Sequence, residues 1–231
     1  MSLIIRGVID GPLSGGVPKA IELFALEDIA DLSIYGLESA NNGNPASAPE
    51  FTLSGGATMG DSFFVASEET GFQNFFGFGP DFTSGVASIN GDDAIALYEN
   101  GVIVDVFGVI GVDGTGEPWE HLDGWATRIS GGPSETFDLA EWTFSGINAL
   151  DGAMTNAAAA TPYPFDSYMP SPAPASIVIT EVMQNPSAVS DFSGEWFEVF
   201  NPGPADVDLA GWTIADQDID SHVIAGSLIV P

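Results

Sequence analysis

Short runs of apolar residues, separated by clusters of Gly, Asn, Asp and Pro, recur along the chain. Runs of four to eight residues bounded by turn residues are typical of β-strands. The pattern predicts strands at Ile4–Ile9, Ala20–Ala25, Phe63–Ala66, Ala94–Tyr98, Val102–Phe107 and Trp125–Ile129. Many short strands with almost no helical pattern predict an all-β protein built as an antiparallel β-sandwich.

Two local signals refine this prediction. Asn100-Gly101 separates two predicted strands, and Asn-Gly supplies the two positive φ angles of a type I′ hairpin turn. One short helix is predicted from Ser67 as N-cap, with Glu68 and Glu69 in its first turn, running towards Phe76.

The aromatic stretch Phe72–Phe78 has two interpretations. As a surface patch it would bind a sugar or a peptide. As core it would cover one end of the sandwich, because Phe72, Phe75 and Phe76 fall on one helical face at i, i+3 and i+4. The core interpretation is favoured.

One pattern occurs twice in the chain. An apolar strand, a strand with a central glutamate and an Asp-Leu-x-x-aromatic motif follow one another in both copies. The first copy comprises Ile4–Asp10, Ala20–Phe24 and Asp31–Tyr35, and the second comprises Ile177–Val182, Trp196–Asn201 and Asp208–Trp212. The shared glutamates, Glu22 and Glu198, alternate with apolar residues and are predicted to face solvent. A recurring unit indicates modules that bind or space rather than catalyse.

The second copy also carries a family resemblance. Ser176–Val182, Gly194–Gly203 and Val207–Ile214 together resemble the bacterial version of the lamin tail domain, with Thr180 where that family prefers Asn. The resemblance implies an immunoglobulin-like sandwich.

The first copy is more divergent, because Arg6-Gly7 replaces the family's Asn-Glu pair and Ile34-Tyr35 stands in for Gly-Trp. Its later stretches resemble the N-terminal module of large secreted bacterial nucleases. They are Phe63–Ser67, Ile89–Leu97, Val104–Gly108 and Asp123–Arg128. In such proteins the module accompanies a separate phosphodiesterase domain.

The organisation follows from the repeat and the proline pattern. Residues 1–168 are predicted to form a lamin-tail-like sandwich, 169–175 a Pro-rich linker, and 176–231 the N-terminal half of a second lamin tail domain. The chain is therefore expected to be a piece of a longer protein. Half a sandwich exposes an apolar face and open sheet edges. We expect residues 176–231 to form a homodimer contact rather than to pack on the first module, because the linker is extended.

The amino-acid composition excludes several classes of function. Three Lys and Arg residues stand against 33 Asp and Glu, a formal net charge of −30, which predicts no direct nucleic-acid binding. With no cysteine, disulfides and thiolate metal sites are excluded. No apolar run reaches the roughly 20 residues of a membrane span. An acidic, Lys-poor chain suits an extracellular or cell-envelope protein, although Met1 begins no signal peptide and is interpreted as an added start residue.

Three acidic turns are candidate metal-binding sites. The turn Asp113–Glu117 and the neighbouring pair Asp92 and Asp93 offer oxygen ligands of the kind that Ca²⁺ prefers, and Asp216–Asp220 is a third acidic turn. Asp92, Asp93, Asp113 and Glu117 are therefore the candidate metal ligands, and Ca²⁺ is the one candidate cofactor. None of these turns has the EF-hand spacing. Asp and Asn also favour turns because their side chains bond the local backbone, so plain turn chemistry is the alternative.

No catalytic site is predicted. His121 and His222 lie far apart, no nucleophile–base pair is apparent, and a histidine near Trp119 and Trp125 is expected to be structural. The sequence favours a non-catalytic module of a secreted or cell-envelope bacterial protein, used for targeting, adhesion or spacing beside a nuclease or phosphodiesterase domain. The alternative is a calcium-dependent carbohydrate- or surface-binding module of an adhesin. The expected partner is a surface, a polysaccharide or a protein.

Overall fold

The computed structural model describes residues 2–165, 168, 177–202, 206–215 and 221–231. Contacts within the chain divide it into two units, Met1–Pro170 and Ser171–Pro231, and each is a separate body of strands. The predicted linker, 169–175, lies outside the described residues.

The described residues of the first unit form ten strands and one α-helix. The strands are β1 Leu3–Leu13, β2 Val17–Ala25, β3 Tyr35–Ala40, β4 Phe51–Thr52, β5 Ser62–Ala66, β6 Phe82–Thr83, β7 Ala94–Glu99, β8 Val102–Phe107, β9 Trp125–Arg128 and β10 Trp142–Phe144; the helix α1 is Glu69–Phe76. Short 3₁₀ turns occur at Leu32–Ile34, Asn41–Gly43, Gly85–Ala87, Leu139–Glu141 and Asn156–Ala158.

Two sheets form the sandwich of the first unit. One has the order β10-β9-β1-β2-β5-β6 and the other β4-β3-β7-β8. All pairs are antiparallel except the short parallel pair β5–β6. The main core lies between the sheets and includes Ile5, Val8, Leu23, Leu97 and Phe107. The predicted fold class, an all-β immunoglobulin-like sandwich, is confirmed.

The six-stranded sheet is buried on both faces. Ile9, Ala20 and Phe64 point away from the main core into a second cluster with Phe72 of α1 and Tyr163. A strand covered on both faces reads as a continuous apolar run rather than an alternating one. That explains why Ile4–Ile9 shows so little alternation.

The hairpin and the aromatic core are confirmed. Asn100 and Gly101 have φ of 52° and 80° between β7 and β8, as a type I′ turn requires. Phe72 and Phe75 are buried, so the aromatic face of α1 is core.

The N-cap of α1 is one residue later than predicted. The carboxylate of Glu68 accepts hydrogen bonds from the amides of Gly71 and Phe72, at 2.7 and 3.2 Å. The Ser67 amide donates to the Lys19 carbonyl and extends the β2–β5 pairing by one residue.

The second unit contains short strands and one helical turn. They are β11 Val178–Met183, α2 Asp191–Gly194, β12 Trp196–Phe200, β13 Val207–Asp208, β14 Thr213–Ala215, β15 Ser221–Val223 and β16 Ile229–Val230. The antiparallel pairs are β11–β12, β13–β16 and β14–β15.

The two units share local geometry at corresponding motifs. β1–β2 has a register shift between Ile5 and Gly7, and β11–β12 has one between Ile179 and Glu181. As a result Glu22 lies opposite Gly7, and Glu198 lies opposite Glu181.

The Asp-Leu motifs also match. Asp31 accepts from the Ser33 amide at 2.9 Å, and Asp208 accepts from the Ala210 amide at 3.0 Å. The next residue in each motif, Leu32 or Leu209, donates its amide to the carbonyl of a later segment.

Candidate functional site

Each of the three basic side chains of the first unit is held in an ion pair; those of Arg6 and Arg128 are buried, and that of Lys19 is 16% exposed. Arg6 Nη1 lies 3.0 Å from Glu22 Oε1, Lys19 Nζ lies 2.7 Å from Asp10 Oδ1, and Arg128 contacts Asp105 and Glu141 at 2.8 and 2.7 Å. The chain has no other Lys or Arg. No Lys or Arg is therefore left without an acidic partner to offset the other acidic side chains of the surface.

The Lys19 ammonium joins three segments. Besides Asp10, it donates to the Ile89 carbonyl and to Asn90 Oδ1, at 3.1 Å for the latter. An ammonium has three donors, so all of its hydrogen bonds are used. Burial raises the pKa of Asp10, whereas the hydrogen bond and charge of Lys19 oppose that rise.

Arg128 of β9 is bound to β1 and to two carboxylates. Its Nε donates to the Ile5 carbonyl of β1 at 3.1 Å. Asp105 accepts from Arg128 Nη2 and also from the amides of Ile5 and Ser134, at 2.8 and 3.0 Å. The guanidinium carbon of Arg128 lies 4.8 Å from the ring centre of Trp142, a cation–π distance. A buried guanidinium with these partners is structural and is not presented to a ligand.

The prediction that Glu22 faces solvent is wrong. Glu22 is buried and accepts from Arg6 and from the hydroxyl of Tyr163. Tyr163 belongs to the segment that follows β10. The Asn156 side chain holds this segment in place, because it donates to the Tyr163 carbonyl and accepts from the Tyr163 amide. Burial, together with the charge of Glu22, raises the pKa of Tyr163. Glu198, at the corresponding place, is exposed as predicted and accepts from Thr180 Oγ1 at 2.8 Å.

The structure brings two of the four predicted calcium ligands together. Asp92 Oδ2 accepts from Thr115 Oγ1 at 2.9 Å, and Asp113 Oδ1 accepts from the Thr115 amide at 3.0 Å. Both carboxylates thus converge on one threonine. The hydrogen bonds from Thr115 lower the pKa of Asp113.

The side chains of the other two candidate ligands do not share the contact with Thr115. Asp93 is buried and accepts from the amides of Asn42 and Asn90, at 2.8 and 2.9 Å, while burial raises its pKa. Glu117 is an exposed turn residue whose amide donates to the Gly114 carbonyl.

These contacts are those of acidic residues that organise turns. Within the described part of the chain, no three His, Cys, Asp or Glu side chains are grouped to hold a metal ion. The third acidic turn, Asp216–Asp220, lies outside the described residues. One carboxylate oxygen, Asp92 Oδ1, is buried without a hydrogen-bond partner in the described structure.

His121 is wholly buried in a loop between β8 and β9. Its Nδ1 lies 3.3 Å from the Trp119 carbonyl, and its ring packs edge-on against Phe107 at 5.2 Å. Its Nε2 has no hydrogen-bond partner among the described residues, so no serine or carboxylate contacts it. Burial lowers the pKa of His121 to about 4, which keeps the ring neutral. His222 is exposed on β15 of the second unit.

The apolar side chains of the second unit are mostly exposed. In β11 and β12 the exposed fractions include 60% for Ile179, 66% for Val182, 47% for Trp196 and 55% for Phe200. Val207 and Leu209 are buried.

Sequence reasoning missed the segment that carries Tyr163. Its aromatic ring packs with Phe64, Trp125 and Phe165, and the Trp125 indole donates to the Thr161 carbonyl at 2.8 Å. The sequence did contain one signal, the glycine at position 7 within a predicted strand. A Cβ atom there would lie only 1.8 Å from the Tyr163 hydroxyl oxygen, so the close approach of Tyr163 requires glycine. A glycine in a strand often marks such a close approach.

The fold and the enclosed basic groups define a class of protein: an all-β, immunoglobulin-like sandwich module with an acidic surface. Residues 170–231 match the family model of the lamin tail domain, a family of immunoglobulin-like modules. Comparison with curated proteins and with solved structures gave no match. Among the described residues, no helix is long and apolar enough to cross a membrane.

Proposed function

We propose that this chain is a non-catalytic β-sandwich module of a secreted or cell-envelope bacterial protein. Its role is targeting, adhesion or spacing beside a nuclease or phosphodiesterase domain that lies elsewhere. We further propose that residues 177–231 are a second copy of the first part of the first unit. The shared bulge, the shared Asp-Leu motif and the family match at 170–231 support this second point.

The observation that carries the proposal is the enclosure of the basic groups. A phosphodiester substrate is bound and stabilised by cationic side chains or by metal ions. Arg6, Lys19 and Arg128 are each held by a carboxylate within the fold. A buried, neutral His121 without a polar partner at Nε2 adds no general base. Support for the secreted setting comes from the acidic, Lys-poor composition.

A second candidate function rests on Asp92. Its buried, unpartnered Oδ1 lies in the turn where Asp113 also approaches Thr115. A calcium ion there would take both carboxylates and complete its six to eight ligands from backbone carbonyls and water. The chain would then be a calcium-dependent carbohydrate- or surface-binding module.

One set of assays tests both functions. The full chain should cleave neither DNA nor a model phosphodiester with Mg²⁺ or Ca²⁺ present, and it should not retard DNA in a gel. Metal-dependent turnover that His121→Ala abolishes would contradict the first proposal.

Retention on insoluble cell-wall polysaccharide, measured with Ca²⁺ and with a chelator, separates the two candidates. Retention that requires Ca²⁺ and is lost in Asp92→Asn would favour the calcium-dependent module. Asp138→Asn is the control for the loss of a turn carboxylate as such, because Asp138 is exposed and accepts only from the local amide of Ala140. Retention that is indifferent to the chelator favours the calcium-independent module.

A further inference from the structure

The only lysine of the chain lies between a carboxylate and a carboxamide. Lys19 Nζ lies 2.7 Å from Asp10 Oδ1 and 3.1 Å from Asn90 Oδ1, and it also donates to the Ile89 carbonyl. An amine is a nucleophile once it has lost its proton, and an adjacent carboxylate can take that proton. These contacts therefore place a latent nucleophile, a proton acceptor and an amide carbonyl side by side.

The two sheets of the first unit hold the three groups in position. Asp10 and Lys19 are directly opposite each other in β1 and β2, and Asp10 Oδ2 accepts from the Asp123 amide at 3.2 Å. Asn90 precedes β7 of the four-stranded sheet, and its backbone amide donates to the buried Asp93 carboxylate at 2.9 Å. Neither side of the contact is therefore free to swing away.

The distance from the amine to the carbonyl carbon is close to that of a reacting pair. The Asn90 Cγ atom is one C=O bond, about 1.2 Å, from Oδ1, so it lies within about 4.3 Å of Lys19 Nζ. Reacting atoms approach to about 3–3.5 Å before a bond forms. A movement of the lysine side chain by about 1 Å or less brings Nζ to that distance.

Burial favours the neutral forms that the reaction needs. Only 16% of the Lys19 side chain and 3% of the Asp10 side chain are exposed. Burial also raises the pKa of Asp10, although the hydrogen bond and the charge of Lys19 oppose that rise. Loss of water around a charged pair lowers the cost of moving the proton from the ammonium to the carboxylate. The result of that transfer is a free amine beside a carboxylic acid.

We propose that Lys19 and Asn90 become joined by an amide bond that the folded chain forms by itself, with Asp10 transferring the protons. Lys19 Nζ gives a proton to Asp10, and its lone pair attacks Asn90 Cγ while the carbonyl π electrons move onto Oδ1. Asp10 then gives a proton to Nδ2 and takes one from Nζ. The electron pair on Oδ1 restores the carbonyl, the Cγ–Nδ2 bond breaks, and ammonia leaves and takes the remaining proton from Asp10.

This bond links the two sheets of the first unit. Lys19 belongs to β2 of the six-stranded sheet, and Asn90 leads into β7 of the four-stranded sheet, 71 residues further along the chain. A covalent link between distant residues restricts the unfolded chain, as a disulfide does. The chain has no cysteine with which to form a disulfide. An amide cross-link supplies the same restraint and is not broken by reducing agents.

The intact mass of the purified full chain tests the proposal. We expect the folded wild-type chain to weigh less than its sequence by the mass of one ammonia. After digestion with a protease that cuts after Glu, residues 1–22 should be recovered covalently joined to residues 70–99. A folded wild-type chain that keeps its full mass during prolonged incubation, or a digest without the joined peptides, would overturn the proposal.

Two variants exclude loss of ammonia by another route, since an asparagine before a glycine can also lose ammonia by closing into a succinimide. Lys19→Arg keeps the positive charge but replaces the amine with a guanidinium that stays protonated, and it should restore the full mass. Asn100→Asp is the matched control, because Asn90 and Asn100 are both exposed and both precede glycine. It should keep the mass deficit. A deficit that persists in Lys19→Arg, or that disappears in Asn100→Asp, would refute the cross-link.

The rate of mass loss tests the role of Asp10. Asp10→Asn has nearly the same shape and still accepts a hydrogen bond from Lys19, but it cannot take up the proton. When the chain is refolded from urea and followed by mass spectrometry, we expect this variant to lose ammonia about a hundredfold more slowly than the wild type. Equal rates in the two chains would contradict proton transfer through Asp10.

Discussion

His121 links the stability of the first unit to pH. Burial holds its pKa near 4, below the value of about 6.5 for an exposed imidazole. A depressed histidine pKa means that the unfolded chain binds the proton first as pH falls. The stability is complete above pH ~6.5 and is lost progressively towards pH ~4.

We predict that lowering the pH from 7 to 5 costs the wild-type chain about 2 kcal/mol of unfolding free energy more than His121→Gln. Urea unfolding at the two pH values measures this difference. His222→Gln, at an exposed histidine, is the control and should behave like the wild type. A pH dependence in His121→Gln equal to that of the wild type would contradict the assignment.

Residue environments were the least predictable feature of the sequence. Glu22 alternates with apolar residues, which favours an exposed position, yet Arg6 and Tyr163 enclose it. Tyr163 lies 141 residues from Glu22 in sequence, and no local sequence pattern predicts a partner at that separation. In the same way, the interpretation of Asp92 and Asp113 as metal ligands or turn residues depends on Thr115, whose orientation only the fold determines.

At the scale of elements, the β7–β8 hairpin depends on its turn. Gly101 has φ of 80°, in the region where an L side chain is strained. We predict that Gly101→Ala costs about 1 kcal/mol of stability, because a Cβ there meets no atom within 4 Å and backbone strain is the whole effect.

Gly85→Ala is the matched control for that measurement. Gly85 is also exposed and its Cβ would likewise meet open space, but its φ is not in the left-handed region. Thermal or urea unfolding should show no loss for Gly85→Ala. A loss of the same size in both variants would mean that the turn conformation is not the cause.

Strand and turn positions were predictable because their signals are local. The Asn-Gly turn, the aromatic face of α1 and the strands flanking Asn100-Gly101 follow from neighbouring residues. The N-cap is Glu68 rather than Ser67, because the longer side chain of Glu68 reaches the amides of Gly71 and Phe72. Which strands become neighbours, such as β9 beside β1, depends on contacts more than 100 residues apart.

At the scale of the whole molecule, the charge is unbalanced. With a net charge of −30 and the three basic groups enclosed, the acidic surface repels itself at low ionic strength. We predict that the melting temperature rises by several degrees between about 10 mM and about 0.5 M NaCl.

Calorimetry in NaCl, MgCl₂ and CaCl₂ at matched ionic strength checks the origin of this effect. Screening predicts nearly equal melting temperatures in NaCl and in the two divalent salts. A jump with millimolar Ca²⁺ alone, lost in Asp92→Asn, would instead identify a specific calcium site. A melting temperature that falls with NaCl would contradict the account of self-repulsion.

The positions of Arg6, Lys19 and Arg128 also determine how susceptible the chain is to proteolysis. Proteases of the trypsin type cut after Lys or Arg. The three residues after which they could cut lie in β1, β2 and β9 of the six-stranded sheet. Residues 171–231 offer no such bond at all, folded or unfolded. Each tryptic cut therefore requires the sheet to open first, so a module exposed to secreted proteases of this class is protected by where its few cations lie.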